Sequence, residues 1–280
     1  MLIKRIFTTI IIIFTISLLL FKSPKYIFIL ALFTICTLSS WEWSKISNLR
    51  NIFCKITLLI TNNVILIILI FLTVNTNVLY RKFLLLFLTF IPIIWWLVAI
   101  YLLIIYNKLI KIWYRLKITK LLFGTFIIIP LLYNITIIYL YYHNIGLFQN
   151  ALLLYLVIII SCIDSVSFIY GSYFGYKRIM PTISPNKTWE GFIAGLLSSM
   201  IISFILINIM FNYNKLLLIV SSIISLLLSI IGDLTESMFK RLANLKDSSN
   251  ILPGHGGILD RIDSFSISIP IFTFLLILFS

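Results

Sequence analysis

The chain has 280 residues, of which 61% are hydrophobic and only 11% are charged. A soluble domain of this length would be about half apolar and about a quarter charged, so the composition excludes an ordinary soluble protein. The net charge is +14. Its cations lie in short segments between apolar blocks and form no continuous basic face, which argues against nucleic acid as a partner.

Long apolar blocks predict about nine membrane-spanning helices, because roughly 20 apolar residues cross a bilayer as a helix. The predicted spans lie near 6–21, 26–41, 56–74, 85–106, 121–141, 151–171, 191–210, 216–232 and 263–279. The first two are short and could instead form a shallow hairpin. We therefore predict an all-α, polytopic integral membrane protein. Its N-terminal transmembrane region with a basic connector covers 1–120, and its C-terminal catalytic transmembrane region covers 121–280.

Lysine and arginine are distributed unevenly between alternate loops. Of the 22 such residues, 17 fall on the side of the N-terminus and five on the other side. Because cytoplasmic loops carry the excess of these cations, the N-terminus is predicted to be cytoplasmic and the C-terminus external. All eight acids fall toward the cytoplasmic side. Acids gathered at one membrane face beside cations indicate a site that handles metal and phosphate.

The densest group of polar residues covers 237–263, with the sequence SMFKRLANLKDSSNILPGHGGILDRID. Just upstream, Asp233 and Glu236 are spaced from Lys240 so that all three share one helix face as the eighth span leaves the membrane. Two more acids follow at a spacing of three, at the start of the last span. This spacing predicts that the ends of two spans together form one charged site.

Carboxylates and cations in this pattern favour phosphoryl or nucleotidyl transfer, which depends mainly on positioning and charge stabilisation. Mg²⁺ binds carboxylate oxygens together with substrate phosphates, so Asp233, Asp260 and Asp263 are candidate metal ligands. The candidates for neutralising phosphate charge are Lys240, Arg241, Lys246 and Arg261. Ordinary ion pairing in a loop is the alternative for any single residue. For the whole set, acids at a bilayer boundary favour function.

A glycine-rich loop lies between the two groups of acids. Gly256 and Gly257 would let the backbone approach a ligand closely. His255 could contact phosphate, transfer a proton or only hold the loop. The sequence leaves these alternatives open.

A second polar segment, PTISPNKTWEG, covers 181–191. Its residues 184–186 (Ser-Pro-Asn) predict a turn, and Thr188 is the candidate N-cap of the next helix. Lys187 is a candidate phosphate ligand, assisted by backbone N–H groups at the helix start. In the sixth span, Asp164 could bind a metal or a nucleotide ribose, or make a buried structural hydrogen bond.

These residues resemble the phosphatidate cytidylyltransferase (CDP-diglyceride synthetase) family. The family signature is Ser, any residue, an apolar residue and Lys-Arg, then Lys-Asp, His-Gly-Gly and Asp-Arg-apolar-Asp. It is filled without a gap by Ser237, Lys240, Arg241, Lys246, Asp247, His255, Gly256, Gly257, Asp260, Arg261 and Asp263. The runs 232–237, 184–191 and 41–43 (Trp-Glu-Trp) are also similar to the family, which extends the resemblance over nearly the whole chain.

The resemblance implies an enzyme that uses Mg²⁺ and CTP to convert phosphatidate into CDP-diacylglycerol, with release of pyrophosphate. The catalytic residues that it implies are Asp233, Asp260, Asp263, Lys240 and His255, of which the three aspartates would hold the metal. The substrate-binding residues that it implies are Ser184, Lys187, Thr188, Ser237, Arg241, Lys246, Asp247, Gly256, Gly257, Arg261 and Asp164. We expect a bacterial inner (plasma) membrane location with the active site facing the cytoplasm, and the family is compatible with a homodimer.

Some positions depart from the family pattern. After Asp164 the family often has Gly-Ala-Tyr, whereas 166–168 are Val-Ser-Phe here. A basic residue is common in the family near position 172, where this chain has Ser172. These changes bear on contacts around the nucleotide or lipid headgroup. The competing hypotheses are a CTP-dependent polyprenol or dolichol kinase, which would release CDP, and a transporter. A transporter would place its acids near the midplane, whereas these acids crowd one membrane face.

Overall fold

The computed structural model describes residues 14–76, 78–106, 117–141, 148–211, 214–251 and 256–279, and these ranges are almost entirely helical. The helices are α1 (14–21), α2 (Lys25–Ile46), α3 (Ile52–Asn75), α4 (Val78–Ile104), α5 (Lys117–Tyr141), α6 (Phe148–Phe174), α7 (Trp189–Met210), α8 (Lys215–Leu242), α9 (Leu259–Ile262) and α10 (Phe265–Phe279). Two short strands, β1 (Arg178–Met180) and β2 (Ser184–Thr188), form an antiparallel hairpin between α6 and α7. The all-α prediction is confirmed apart from this hairpin.

Eight helical segments within the described ranges are long and apolar enough to cross a membrane. They are Lys25–Ile46, Ile52–Asn75, Tyr80–Ile104, Ile118–Leu140, Asn150–Phe174, Trp189–Met210, Lys215–Leu242 and Leu259–Phe279. The chain is therefore an integral membrane protein, and the second to ninth predicted spans correspond to these segments one for one. The first predicted span, 6–21, lies mostly outside the described residues, so the count of nine stays a prediction.

Helices α6 and α7 pack closely because α7 presents small residues to α6. Gly191, Gly195, Ser199 and Ser203 recur every four residues and are all buried. A Cβ atom added at Gly195 would lie 2.6 Å from the carbonyl oxygen of Ile163. Small residues allow helix backbones to approach in this way inside a membrane. This contact sets the distance between the middle of α6 and the start of α7, where candidate site residues lie.

Replacing Gly195 by valine is expected to push α7 away from α6 and to lower the free energy of unfolding by about 1–3 kcal/mol, the usual range for overpacking. The measurement is denaturant unfolding of the purified protein in detergent. The control is Leu197→Val on the same helix, since Leu197 is 56% exposed on the outer face. Equal stability of the two variants would contradict the close packing.

Buried hydrogen bonds between polar side chains and backbone groups join α6, α7, α8 and α10. The hydroxyl of Tyr155 on α6 is 2.7 Å from that of Ser203 on α7 and also contacts Ser222 on α8. Ser268 on α10 donates to the carbonyl oxygen of Ser225 at 3.1 Å. Such interhelical hydrogen bonds are a main source of specificity where lipid and side chains are equally apolar. They fix the face that α8 turns toward its neighbours.

Helix ends and loops from distant parts of the chain meet at one end of the bundle, called here the polar end. Trp43, near the end of α2, donates its indole N–H to the carbonyl oxygen of Lys120 in α5 at 2.8 Å. Arg241, near the end of α8, donates to the carbonyl oxygen of Ile183 in the hairpin at 3.1 Å. All eight acids of the chain are described, and each lies near this end. Their gathering at one face is as predicted, while the side of the membrane stays a prediction.

The hairpin corrects one local prediction, because residues 184–186 belong to β2 and do not form the turn. Met180 pairs with Ser184, so the chain reverses at 181–183. Ser, Pro and Asn favour turns by local chemistry, and this was the basis of the prediction. Pro185 is tolerated in the strand because a two-stranded hairpin leaves one side of each strand without a ladder partner.

Candidate active site

A cavity of about 520 Å³ lies at the polar end, between α6, β2, α7, α8 and the residues around α9. The charged side chains that line it are Asp164, Asp233, Asp247, Asp260, Asp263, Lys187, Lys240 and Arg261. All eight are among the residues that the sequence predicts for the site. The structure therefore brings three separate polar segments of the chain into one cavity.

The polar face of α8 supplies one wall of this cavity. The predicted span ends at residue 232, but α8 continues to Leu242, so Asp233 and Lys240 lie two turns apart on one face. Ser237 donates its hydroxyl to Asp233 at 3.2 Å. The helix continues past the first charges because its polar face turns toward the cavity and away from lipid. The predicted common face is confirmed for Asp233 and Lys240, which both line the cavity, whereas Glu236 contacts Lys240 but does not line it.

Lys240 is held between two carboxylates. Its Nζ atom lies 2.6 Å from Oδ1 of Asp260 and 3.2 Å from Oε1 of Glu236. The Lys240 side chain is only 9% exposed and that of Glu236 only 1%. A buried cation needs such compensation, since desolvation of an isolated charge is strongly unfavourable. Glu236 therefore acts as a counter-ion behind the cavity, while Lys240 and Asp260 face it.

The loop between α8 and α9 (243–258, of which 252–255 lie outside the described residues) wraps around Asp260. Oδ2 of Asp260 accepts hydrogen bonds from the backbone N–H and the hydroxyl of Ser248, both at 2.9 Å, and from the N–H of Gly257 at 2.8 Å. Gly256 has a φ of 81°, and a Cβ atom there would lie 2.5 Å from Oδ2 of Asp260. Glycine is needed at this position both for the left-handed backbone and for the close approach.

Lys187 projects from β2 against Asp233, and its side chain is 25% exposed. Burial lowers the pKa of Lys187 to about 8, while the carboxylates of Asp263 and Asp164 act in the opposite direction. An anion that enters the cavity would likewise favour the charged form of this lysine. The position is thus suited to a phosphate ligand, as the sequence predicts.

Two further predictions concern single residues at the cavity wall. Thr188 caps α7, since its hydroxyl oxygen accepts a hydrogen bond from the N–H of Gly191 at 3.2 Å. Asp164 lies ten residues before the end of α6, which places it about 15 Å along the helix from that end. It accepts a hydrogen bond from the hydroxyl of Ser264 at 3.0 Å and also lines the cavity. Both alternatives considered for Asp164 are therefore compatible with its surroundings.

Among the predicted site residues that the structure describes, five do not line the cavity: Ser237, Arg241, Lys246, Gly256 and Gly257. Arg241 donates from Nε to the carbonyl oxygen of Ile183 at 3.1 Å and from Nη1 to that of Leu245 at 3.4 Å, so it ties the hairpin to the end of α8. Lys246 is exposed and lies outside the lining. His255 lies outside the described residues. The substrate contacts predicted for these six residues stay predictions.

The cavity also contains polar residues that the sequence reasoning did not select. They are Ser165, Ser167, Asn186 and Ser229. Ser229 precedes Asp233 by one helical turn, so the helical spacing that selected Asp233 and Lys240 could have found it. The other three are sequence neighbours of Asp164 or Lys187. Asn186 and Ser167 stand in the stretches 184–191 and 166–168 that the resemblance to the family singles out, so that resemblance was the signal that could have found them.

The acids of the cavity offer oxygen ligands for a metal ion. Among the described residues, no three His, Cys, Asp or Glu side chains lie close enough together to form a ready-made metal centre. Asp233, Asp260 and Asp263 nevertheless line one cavity and offer carboxylate oxygens, which Mg²⁺ prefers. Mg²⁺ usually takes one or two carboxylates and completes its shell with phosphate and water. The residues therefore fit a metal that binds together with a polyphosphate.

The fold and the cavity define an integral membrane protein with a charged cavity at one end of its helices. A model of the cytidylyltransferase family matches residues 3–279. The chain is 35% identical over 287 residues to a phosphatidate cytidylyltransferase of Haemophilus influenzae, covering 98% of both chains. It is 30% identical over 251 residues to one of Pseudomonas aeruginosa, covering 89% of this chain and 87% of the relative. The chain belongs to the cytidylyltransferase family, which confirms the resemblance found in the sequence.

Proposed function

We propose that this protein transfers the cytidylyl group of CTP to phosphatidate, forming CDP-diacylglycerol and pyrophosphate in phospholipid biosynthesis. The observation that carries the proposal is the cavity, in which carboxylates and cations from three segments meet at the end of membrane-spanning helices. The match to the Haemophilus influenzae relative over nearly the whole of both chains supports the same substrates.

The lining of the cavity combines charged and apolar residues, as a lipid and a nucleotide substrate together require. Phe168, Ile169, Phe192 and Ile230 form apolar parts of the lining, contributed by α6, α7 and α8. We assign these apolar residues to the glycerol and acyl part of phosphatidate. The charged residues would receive the triphosphate of CTP and the phosphate of the lipid.

In the proposed reaction, a phosphate oxygen of phosphatidate attacks the α-phosphorus of CTP. The bond from the α-phosphorus to the oxygen that bridges to the β-phosphorus breaks, and pyrophosphate leaves with that oxygen. When bound, Mg²⁺ would neutralise charge on the triphosphate, with Asp233, Asp260 and Asp263 as its candidate ligands. Lys187 and Lys240 each contact one of these aspartates, so both can turn toward phosphate oxygens as those enter the cavity.

The location and the assembly are also proposals. The excess of lysine and arginine in the loops on the N-terminal side supports a cytoplasmic active site, because cytoplasmic loops carry that excess. The bacterial relatives support placement in a bacterial inner membrane. The family resemblance is compatible with a homodimer, and the detergent-corrected mass of the purified protein would test it.

The test uses purified protein in detergent with phosphatidate, Mg²⁺ and CTP labelled at either the α- or the γ-phosphate. Cytidylyl transfer is expected to move the α-label into the lipid and the γ-label into pyrophosphate, and EDTA should abolish both. Label from the γ-phosphate in the lipid, with CDP as the other product, would instead establish a kinase. Folded protein that gives no labelled lipid would contradict the proposal.

A further inference from the structure

Glu42, near the C-terminal end of α2, is a buried carboxylate that the cavity itself does not use. It is 0% exposed and is not among the lining residues. Its Oε1 atom accepts hydrogen bonds from the hydroxyl of Ser249 at 2.6 Å and the N–H of Ile258 at 3.0 Å. Its Oε2 atom accepts from the hydroxyl of Ser248 at 3.0 Å and the N–H of Leu259 at 2.7 Å. Four donors, of which the Ser248 hydroxyl is shared with Asp260, thus stabilise a charge whose unpartnered burial would be very unfavourable.

All four donors belong to the α8–α9 loop or to the start of α9, and they are separated from Glu42 by 206 to 217 residues. The same stretch holds Asp260 from its other side through Ser248 and Gly257. The Ser248 hydroxyl lies 3.0 Å from Oε2 of Glu42 and 2.9 Å from Oδ2 of Asp260, so the two carboxylates share its single hydrogen. The position of Asp260 is therefore coupled to that of Glu42 through a single shared segment.

The α8–α9 loop packs so closely against Glu42 that no side chain larger than that of glycine fits at residue 257. A Cβ atom added at Gly257 would lie 2.5 and 2.6 Å from the two carboxylate oxygens of Glu42. Next to Glu42, Trp43 packs on Phe239 of α8 with ring centroids 5.1 Å apart, so α2 is also held against the helix that carries Lys240. The end of α2 thus contacts both elements from which the Lys240–Asp260 pair is built.

We propose that Glu42 is a positioning residue for cytidylyl transfer, fixing the α8–α9 loop so that Asp260 and Lys240 face the cavity in the reactive arrangement. The inference rests on the proposed function. It assigns to the N-terminal part of the chain a direct part in building the active site. Misplacing a reacting group by about 1 Å can lower a rate by about 100-fold, so the effect should be measurable.

The principal variant is Glu42→Gln, which keeps the size of the side chain but presents an NH₂ group to two donors of the loop. The value of kcat/KM for CTP is expected to fall by about 10–100-fold, the range found when a supporting group behind a site is removed. We expect the fall mainly in kcat, with the KM for phosphatidate changed less than about threefold, because Glu42 does not touch the cavity. The assay is transfer of label from α-labelled CTP to lipid.

Ser249→Ala removes one of the four hydrogen bonds and is expected to lower kcat/KM by about two- to fivefold. In a double variant that combines Glu42→Gln with Ser249→Ala, the two reductions in kcat/KM should not multiply, since both act through the same contact. The matched control is Ser44→Ala on α2, because among the described residues the Ser44 hydroxyl donates only within its own helix, to the carbonyl oxygen of Trp41 at 2.6 Å. It should keep wild-type activity.

The outcomes separate this proposal from the proposed function. Absence of CDP-diacylglycerol with the wild-type protein contradicts the function itself. An active wild type with Glu42→Gln within about twofold of its kcat/KM would overturn the positioning role. So would a loss that simply follows the unfolded fraction in thermal denaturation, because Glu42 would then only stabilise the fold. If Glu42→Gln does not fold, Ser249→Ala carries the test, and wild-type kcat/KM in that variant overturns the proposal.

Discussion

Replacing Asp260 by asparagine is expected to lower the rate of CDP-diacylglycerol formation by about 10²–10³-fold, the usual effect of removing one preorganised charged contact from an active site. Asp260 is 8% exposed, lines the cavity and accepts hydrogen bonds from Lys240, Ser248 and Gly257. Both carboxylate oxygens of Asp260 accept hydrogen bonds, whereas the side chain of asparagine has only one oxygen. The substitution also removes the negative charge proposed to hold Mg²⁺. Lys240 retains Glu236 as a counter-ion, so the variant should remain folded.

The measurement is the initial rate of label transfer to lipid at saturating CTP and phosphatidate, with the thermal unfolding midpoint as the control for folding. Asp263→Asn is the companion variant, because Asp263 lines the same cavity and is also 8% exposed. Near wild-type rates in both variants would contradict the assignment of the site. A raised Mg²⁺ requirement in either variant would support a role in metal binding.

Replacing Lys240 by methionine is expected to abolish activity and to lower the free energy of unfolding by about 3–5 kcal/mol, because it leaves two buried carboxylates without their cation. The carboxylates are those of Glu236 and Asp260, at 3.2 and 2.6 Å from Nζ. Adding Glu236→Gln should restore much of the stability, since one of the unpaired charges is removed. Activity should not return, because the cation that faces the cavity is still missing.

The control is Lys215→Met at the opposite end of α8. Lys215 is exposed and its Nζ atom donates to Oδ1 of Asn208 at 3.1 Å, so the same substitution there should change stability by less than about 0.5 kcal/mol. The experiment measures denaturant unfolding and label transfer for four proteins: the wild type, Lys240→Met, the double variant with Glu236→Gln, and Lys215→Met. Recovery of activity in the Glu236→Gln and Lys240→Met double variant would show that Lys240 has only a structural role.

Membrane insertion and most helices could be predicted from the sequence because both follow from local runs of apolar residues. Eight predicted spans correspond to eight observed helical segments, although α8 extends ten residues further than predicted. The common face of Asp233 and Lys240 was also predictable, since helical spacing alone determines it. Helical spacing could not show which cations and glycines belong to the site, and the family signature indicated them.

The hairpin shows where local reasoning failed. Residues 184–186 have the composition of a turn, yet they pair with β1, and the reversal lies at 181–183. Pairing depends on how β1 and β2 are held between α6 and α7, which no local preference encodes. Arg241 also donates to backbone carbonyls of the hairpin and the loop, a contact that no local preference encodes, and its predicted contact with phosphate stays a prediction.

The sequence by itself determined that this protein lies in a membrane, that it is helical, that its acids gather at one face and that it resembles cytidylyltransferases. These features follow from local composition, from helical period and from a dense motif. Only the tertiary structure decided that Lys187 meets Asp233, that Lys240 is shared by two carboxylates, and that Glu42 holds a loop more than two hundred residues away. Such contacts depend on how closely whole helices pack, and the small residues and buried polar groups that control this packing act between segments far apart in the chain.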